Sequence, residues 1–159
     1  MSLTRVGVTL GDPGGIGPEV VLSAIQQLQH TFNHQLVIFG SKKLLSHPVL
    51  IPYVNEINLK IVKDDQFLSE NNQNNATVYF YDCHEVTHEF ETGDANALNG
   101  QAAYAYITKA VELAKLNKIQ AMATGPISKL GLEAAGIPFT GHTTMLKALT
   151  NTSDVSMCF

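Results

Sequence analysis

Short apolar runs that alternate with helical repeats predict an α/β protein, with helices layered on a largely parallel sheet in an α/β/α arrangement. Three observations carry that prediction. Runs such as Leu36-Val-Ile-Phe39 are short, continuous and β-rich, as strands buried on both faces are. Stretches with apolar residues at helical spacing separate them. Glycine-proline turns, Gly11–Pro18 and Gly125-Pro126, follow two of the strands, which marks repeated passage from strand to helix.

In chain order, Val6-Gly-Val-Thr-Leu10 reads as a buried strand that ends at glycine. The loop Gly11-Asp-Pro-Gly-Gly-Ile-Gly17 comes next, and Pro18 with Glu19 opens a helix. Proline suits a first turn, and a carboxylate there meets the positive end of the helix dipole. Val20, Val21, Ala24, Ile25 and Leu28 form its apolar face. Leu36–Phe39 is the second strand, Pro48 and Pro52 break up the stretch after it, and Ile57–Val62 alternates as a strand does. Thr77–Tyr81 is the next strand, and 98–117 is the longest helix, with Ala103, Ile107, Ala110, Val111 and Ala114 on one face. Ile119–Thr124 is a strand, 127–135 a short helix, 136–141 a loop and His142–Thr150 a helix. Val155–Phe159 begins a further strand, which predicts that these residues are the front part of a longer protein.

Composition bounds the function. The chain has 159 residues, 45% of them apolar, which suffices for a core and excludes a wholly disordered chain. No apolar run is long enough to suggest a membrane span. Only 15% of residues are charged, below the ~25% usual for soluble domains, and the net charge is −4. That balance lacks the clustered Lys and Arg that a nucleic-acid binder needs. The deficit lies in residues 64–94, which hold eight acids and no Lys or Arg beside the run Glu70–Asn75, and reads as a solvated excursion. Cys83 and Cys158 form no disulfide framework, and the N-terminus shows no export signal, so a reducing compartment, the cytoplasm, is expected.

Three segments could carry chemistry. The 11–17 loop is neither a Walker A loop nor G-x-G-x-x-G. Its small residues could still let a ligand reach the backbone amides, with Asp12 and Glu19 addressing hydroxyls or a cation, or it could be a tight strand-to-helix turn. Thr124-Gly-Pro-Ile-Ser-Lys129 repeats the arrangement, and Lys129 suits a phosphate or carboxylate, or is a surface lysine. Gly141-His-Thr-Thr144 puts an imidazole and a hydroxyl at a helix start, open to ligand binding or to capping. Cys83, His84 and His88 lack the second ligand pair of a zinc site. No nucleophile-elbow signature appears.

Taken together, Gly11-Asp-Pro-Gly-Gly-Ile-Gly-Pro-Glu19, Thr124–Lys129 and Gly136-Ile-Pro-Phe-Thr-Gly-His-Thr143 resemble the 4-hydroxythreonine-4-phosphate dehydrogenase family of pyridoxal phosphate biosynthesis. The resemblance runs from near residue 5 to the last residue, with the three motifs in the family's order. It implies a fold like that of isocitrate and isopropylmalate dehydrogenases: two α/β/α domains, a cleft between them, and a homodimer. It implies NAD-dependent oxidation of the C3 hydroxyl of 4-phosphooxy-L-threonine, followed by decarboxylation to 3-amino-2-oxopropyl phosphate. A divalent metal (zinc, magnesium or cobalt) held by histidines would polarise the reacting oxygen.

By this resemblance His142 and Thr143 match substrate-binding positions, Asp12, Gly14, Gly15 and Lys129 map to the cleft, and no catalytic residue is assigned. The family's metal-binding histidines lie beyond the Gly-His-Thr motif, and no histidine follows His142 here. Residues 1–159 are therefore expected to be the N-terminal portion of a two-domain dehydrogenase: the first domain without its C-terminal segments, plus the start of the second. Such a portion is expected to be inactive alone. Gly14 replaces a usual alanine, a small change in a glycine-tolerant loop, and Thr144 replaces a usual glutamate, which leaves open another phosphorylated hydroxy acid as substrate. A non-catalytic anion-binding or interaction module is the further alternative.

Overall fold

The computed structural model describes residues 4–69, 77–86 and 88–156. Among the described residues five strands form one sheet: β1 (Arg5–Thr9), β2 (Gln35–Gly40), β3 (Leu59–Val62), β4 (Val78–Asp82) and β5 (Ala121–Thr124). Their order is β3-β4-β2-β1-β5 and every pairing is parallel, which is the predicted α/β class. The described α-helices are α1 (Gly17–Leu28), α2 (Ile51–Val54) and α3 (Ala97–Lys115), which lie between strands, and α4 (Lys129–Ala134) and α5 (His142–Thr150), which follow β5. Short 3-10 helices lie at Lys42–Ser46 and Asp65–Ser69.

The core grows out of the apolar runs. β2 is buried along its whole length, so both of its faces are covered, and Phe39, Phe80 and Tyr79 are wholly shielded from water. Each such side chain contributes about 1.5–3 kcal/mol of apolar burial. Tyr79 stacks on Phe67 with ring centroids 4.7 Å apart. α3 serves two clusters. Ala102, Tyr106, Ala110 and Leu113 pack in the main core with α1 and the strands, whereas Ile107 and Val111 join Leu132 and Met145 from α4 and α5.

Four sequence expectations change. Helix α2 occupies a stretch expected to be broken by prolines, because Pro52 falls in its first turn, where a missing N–H costs nothing. β3 begins at Leu59, since Ile57 is buried ahead of the ladder. The acidic 64–94 region is no simple excursion: besides the strand expected at Thr77–Tyr81, which is β4, buried between β3 and β2, its 91–96 stretch returns to pack on the glycine loop. Residues 154–156 carry no strand, and Val155 is 42% exposed. Residues 157–159 of that expected strand, Cys158 among them, lie outside the described residues, as does the run 70–75.

Candidate functional site

The strand order fixes where a ligand crevice can form. From β1 the chain passes to β2 on one side, while β5 pairs on the other, so the loops leaving β1 and β5 diverge at a topological switch point. These are the two glycine-proline loops. They touch backbone to backbone: the Asp12 N–H donates to the Pro126 carbonyl at 2.9 Å. Gly11 has φ +78°, and a Cβ there would stand 2.3 Å from the same oxygen, so only glycine fits.

Two cavities flank the Pro126–Ile127 segment. One, of about 270 Å³, is lined by Asp12, Gly14, Gly15, the 93–95 backbone and 126–128. The other, of about 420 Å³, is lined by Lys129, Thr140, Gly141, His142, Thr143 and Thr144 with the opposite side of Pro126 and Ile127. The six candidate residues are thus divided three and three by one shared wall.

The first cavity is not a backbone anion cradle. Gly14 N–H donates to Asp12 Oδ1 at 2.8 Å and Gly15 N–H to the Asp12 carbonyl at 3.0 Å, so the loop's own residue takes both glycine amides. Asp12 is only 2% exposed. Its Oδ2 completes no hydrogen bond and faces the start of α4, 3.2 Å from where a Gly131 Cβ would stand. Burial pushes this carboxyl's pKa up; the amides of Gly14, Ser128 and Gly15 pull it back, and Asp94 adds a further push upward. Glu19 accepts from the Tyr53 hydroxyl at 3.2 Å, tying α1 to α2 instead of facing a ligand.

The outer wall of this cavity is a strap, 91–96, that no motif in the sequence singles out. Gly93 N–H donates to the Gly14 carbonyl at 2.7 Å. Asn99, fully buried, holds the strap: its Nδ2 donates to the Asp94 carbonyl at 2.8 Å, and its Oδ1 lies 3.0 Å from His88 Nε2. Asn96 caps α3 by accepting from Asn99 N–H at 2.9 Å. The one sequence signal is this Asn-x-x-Asn spacing at a helix start.

In the second cavity Lys129 and Thr143 are exposed and His142 is half-buried. His142 Nε2 is shielded and unpartnered, and burial holds the ring's pKa below the usual imidazole value, partly offset by a hydrogen bond with the Gly125 backbone. Thr144 accepts from the Thr140 N–H at 3.2 Å and donates to the Gly141 carbonyl at 3.1 Å. It occupies the third position of α5, so its hydroxyl ties the helix start to the loop before it.

Cys83 is engaged elsewhere: its thiol points at the Gly40 carbonyl, 3.7 Å away, and burial pushes its pKa up to about 12. Among the described residues no three His, Cys, Asp or Glu side chains converge as a metal ion requires, so these residues do not fit the metal implied by the resemblance. In the glycine loop the Gly14 and Gly15 amides are taken by Asp12 and so are not offered to a dinucleotide's phosphates. No helix among the described residues is long and apolar enough to cross a membrane.

The chain is similar to known proteins over nearly its whole length. Residues 31–159 match the family described as pyridoxal phosphate biosynthetic protein PdxA. A protein of Fusobacterium nucleatum, provisionally named D-threonate 4-phosphate dehydrogenase, is 32% identical over 152 residues, 95% of this chain and 45% of its own length. A protein of Oceanobacillus iheyensis with the same provisional name is 30% identical, over 96% and 45%. The crystal structure of a 4-hydroxythreonine-4-phosphate dehydrogenase from Burkholderia phymatum superposes with a TM-score of 0.76 at 31% identity, covering 96% of this chain and 45% of that one. The chain spans a little under half the length of these relatives.

Proposed function

The chain belongs to the pyridoxal phosphate biosynthetic protein PdxA family, and from that premise we propose that it supplies part of the substrate pocket of an NAD-dependent dehydrogenase acting on a phosphorylated hydroxy acid. The observation that carries this reading is the second cavity, which gathers Lys129, His142 and Thr143 at the switch point of a parallel sheet. Lys129 offers a cation to a phosphate or carboxylate, Thr143 a hydroxyl, and His142 an unpartnered ring nitrogen. Burial favours the neutral ring, whose unpartnered Nε2 can accept from a substrate hydroxyl.

NAD, when bound, accepts the hydride. The histidines that would hold a divalent metal, and much of the nicotinamide site, belong in this reading to the portion of the relatives this chain does not span. In this reading the whole protein is a cytoplasmic homodimer.

Two substrates fit. The Burkholderia structure bears the name of an enzyme of 4-hydroxythreonine 4-phosphate, and the Fusobacterium relative that of an enzyme of D-threonate 4-phosphate. Both present a 4-phosphate and a C3 hydroxyl and differ at C2, amino against hydroxyl. The former is our first assignment, in pyridoxine biosynthesis; the identities of 30% and 32% with the named relatives favour testing the latter beside it.

The experiment is NADH formation by a protein extended to the relatives' length, with each substrate and a divalent metal. Turnover of either one, abolished by His142→Ala, is expected, while the 159-residue chain alone forms no NADH. Absence of turnover with both, together with saturable phosphate-ester binding that needs neither NAD nor metal, favours a non-catalytic anion-binding module.

A further inference from the structure

We propose that Asp12 is a positioning residue: by gripping the turn after β5 it sets the Pro126–Ile127 wall shared by the two cavities, and with it the seat of the His142 ring beyond that wall. Asp12 holds the turn at two levels. Its N–H bonds the Pro126 carbonyl at 2.9 Å, and its carboxyl lies against the start of α4, near the Ser128 amide and position 131. No side chain cushions the contact, since a Cβ at Gly11 or Gly17 would stand 2.3 or 3.2 Å from the Pro126 oxygen. On the far side, Pro126 and Ile127 line the same cavity as His142. A displacement of the turn therefore reaches the cavity that holds the ring through that shared wall.

A merely structural turn does not require a buried carboxylate. An asparagine would satisfy the Gly14 amide equally well, yet the site keeps an acid that is 2% exposed and has one oxygen without a completed bond. Burying such a group is costly. What the acid adds over the amide is an acceptor on the α4 side. Asn would turn a donor toward the Ser128 amide and repel it. The charged groups around the wall are Asp12 and Asp94 on one side and Lys129 on the other.

The functional weight of this inference rests on reading His142 as a substrate residue; the geometry does not. The test uses the 159-residue chain without substrate, NAD or metal, so its failure is distinct from that of the proposed dehydrogenase activity. The His142 ring is titrated by proton–carbon NMR in the native chain, in Asp12→Asn and in Asp94→Asn, with His142→Gln identifying the signal.

The sign decides the outcome. Removing a negative charge alone lowers an imidazole's midpoint, whereas releasing the wall rehydrates the ring and raises it toward the ordinary value. Asp12→Asn is expected to raise the midpoint by about half a pH unit and to shift the Ile127 methyl signals, with Asp94→Asn raising nothing. An unchanged or lowered midpoint in Asp12→Asn overturns the proposal. Should circular dichroism show that variant unfolded, Gly131→Ala presses on the same carboxyl from α4, its Cβ 3.2 Å from Oδ2. It is expected to move the midpoint in the same direction, and no movement overturns the proposal equally.

Discussion

A methyl group at position 14 would stand 2.4 Å from the Asp94 carbonyl oxygen and 2.5 Å from Asn99 Nδ2. Both atoms belong to the bonds that hold the 91–96 strap, so neither can swing away cheaply. An alanine there therefore requires a strap seated higher over the loop than here. Gly14→Ala is expected to lower stability by about 1–3 kcal/mol, the ordinary cost of overpacking, read as a reduced urea midpoint. Amide exchange at Gly93, whose N–H bonds the Gly14 carbonyl, should quicken in the same variant.

The buried histidines and Asp12 act in opposite directions. His142 and His84 have pKa values lowered by burial, so the unfolded chain binds their protons more readily and stability falls as pH drops from the ordinary imidazole value through the lowered ones. Asp12 has a raised pKa, so the folded chain binds its proton first and regains stability as pH falls through that raised value toward the ordinary carboxyl range. His142→Gln should thus flatten the fall in urea midpoint on the acid side of neutrality. A slope identical to the native chain's would place the loss on other groups. The sequence could name Asp12 and His142, because glycine loops and helix starts are local signals. It could not show that Asp12 occupies its own loop's amides, since that depends on the turn closing on itself.

Among the elements, those formed by local pattern were legible and those formed by tertiary fit were not. The buried strands and the helices α1, α3, α4 and α5 arise from apolar runs and 3.6-residue repeats, and their observed ends lie close to the expected ones. The 91–96 strap has no apolar period at all. Its course is set by Asn99 and by the room left at Gly14, two contacts invisible in a linear reading. The same holds for the seam between α3 and α4. A Cβ on Gly100 would stand 2.0 Å from the Gly131 carbonyl oxygen, so the two helices meet backbone to backbone. Helical propensity alone favours Gly100→Ala by about 1 kcal/mol. The clash overrides it, and the variant should lose about 3 kcal/mol or more by denaturant unfolding, because carbonyl and helix must both retreat. A gain in stability would mean that the seam is looser than its geometry implies.

At the scale of the whole molecule the sheet has two edges with different chemistry. β3 carries Lys60, and Lys63 follows its last residue, the kind of charge that discourages edge-to-edge pairing. β5 reads Ala-Met-Ala-Thr, bears no charge, and among the described residues pairs only with β1. Ala121 and Ala123 are exposed. An uncharged strand with free N–H and C=O groups along one side is a template for another strand, and nothing in its sequence opposes that pairing. The 159-residue chain is therefore expected to self-associate through β5, with a sedimentation coefficient that rises with concentration. Ala123→Lys puts a charge on the exposed side of this edge while leaving the pairing with Val8 of β1 in place, and should return the chain toward a monomer. A native chain that sediments as a single monomeric species at all concentrations would contradict this reading of the edge. Association unaffected by Ala123→Lys would move the contact to another face, of which the α1 surface bearing Ile16, Val20 and Leu28, at 64, 48 and 48% exposure, is the first to test.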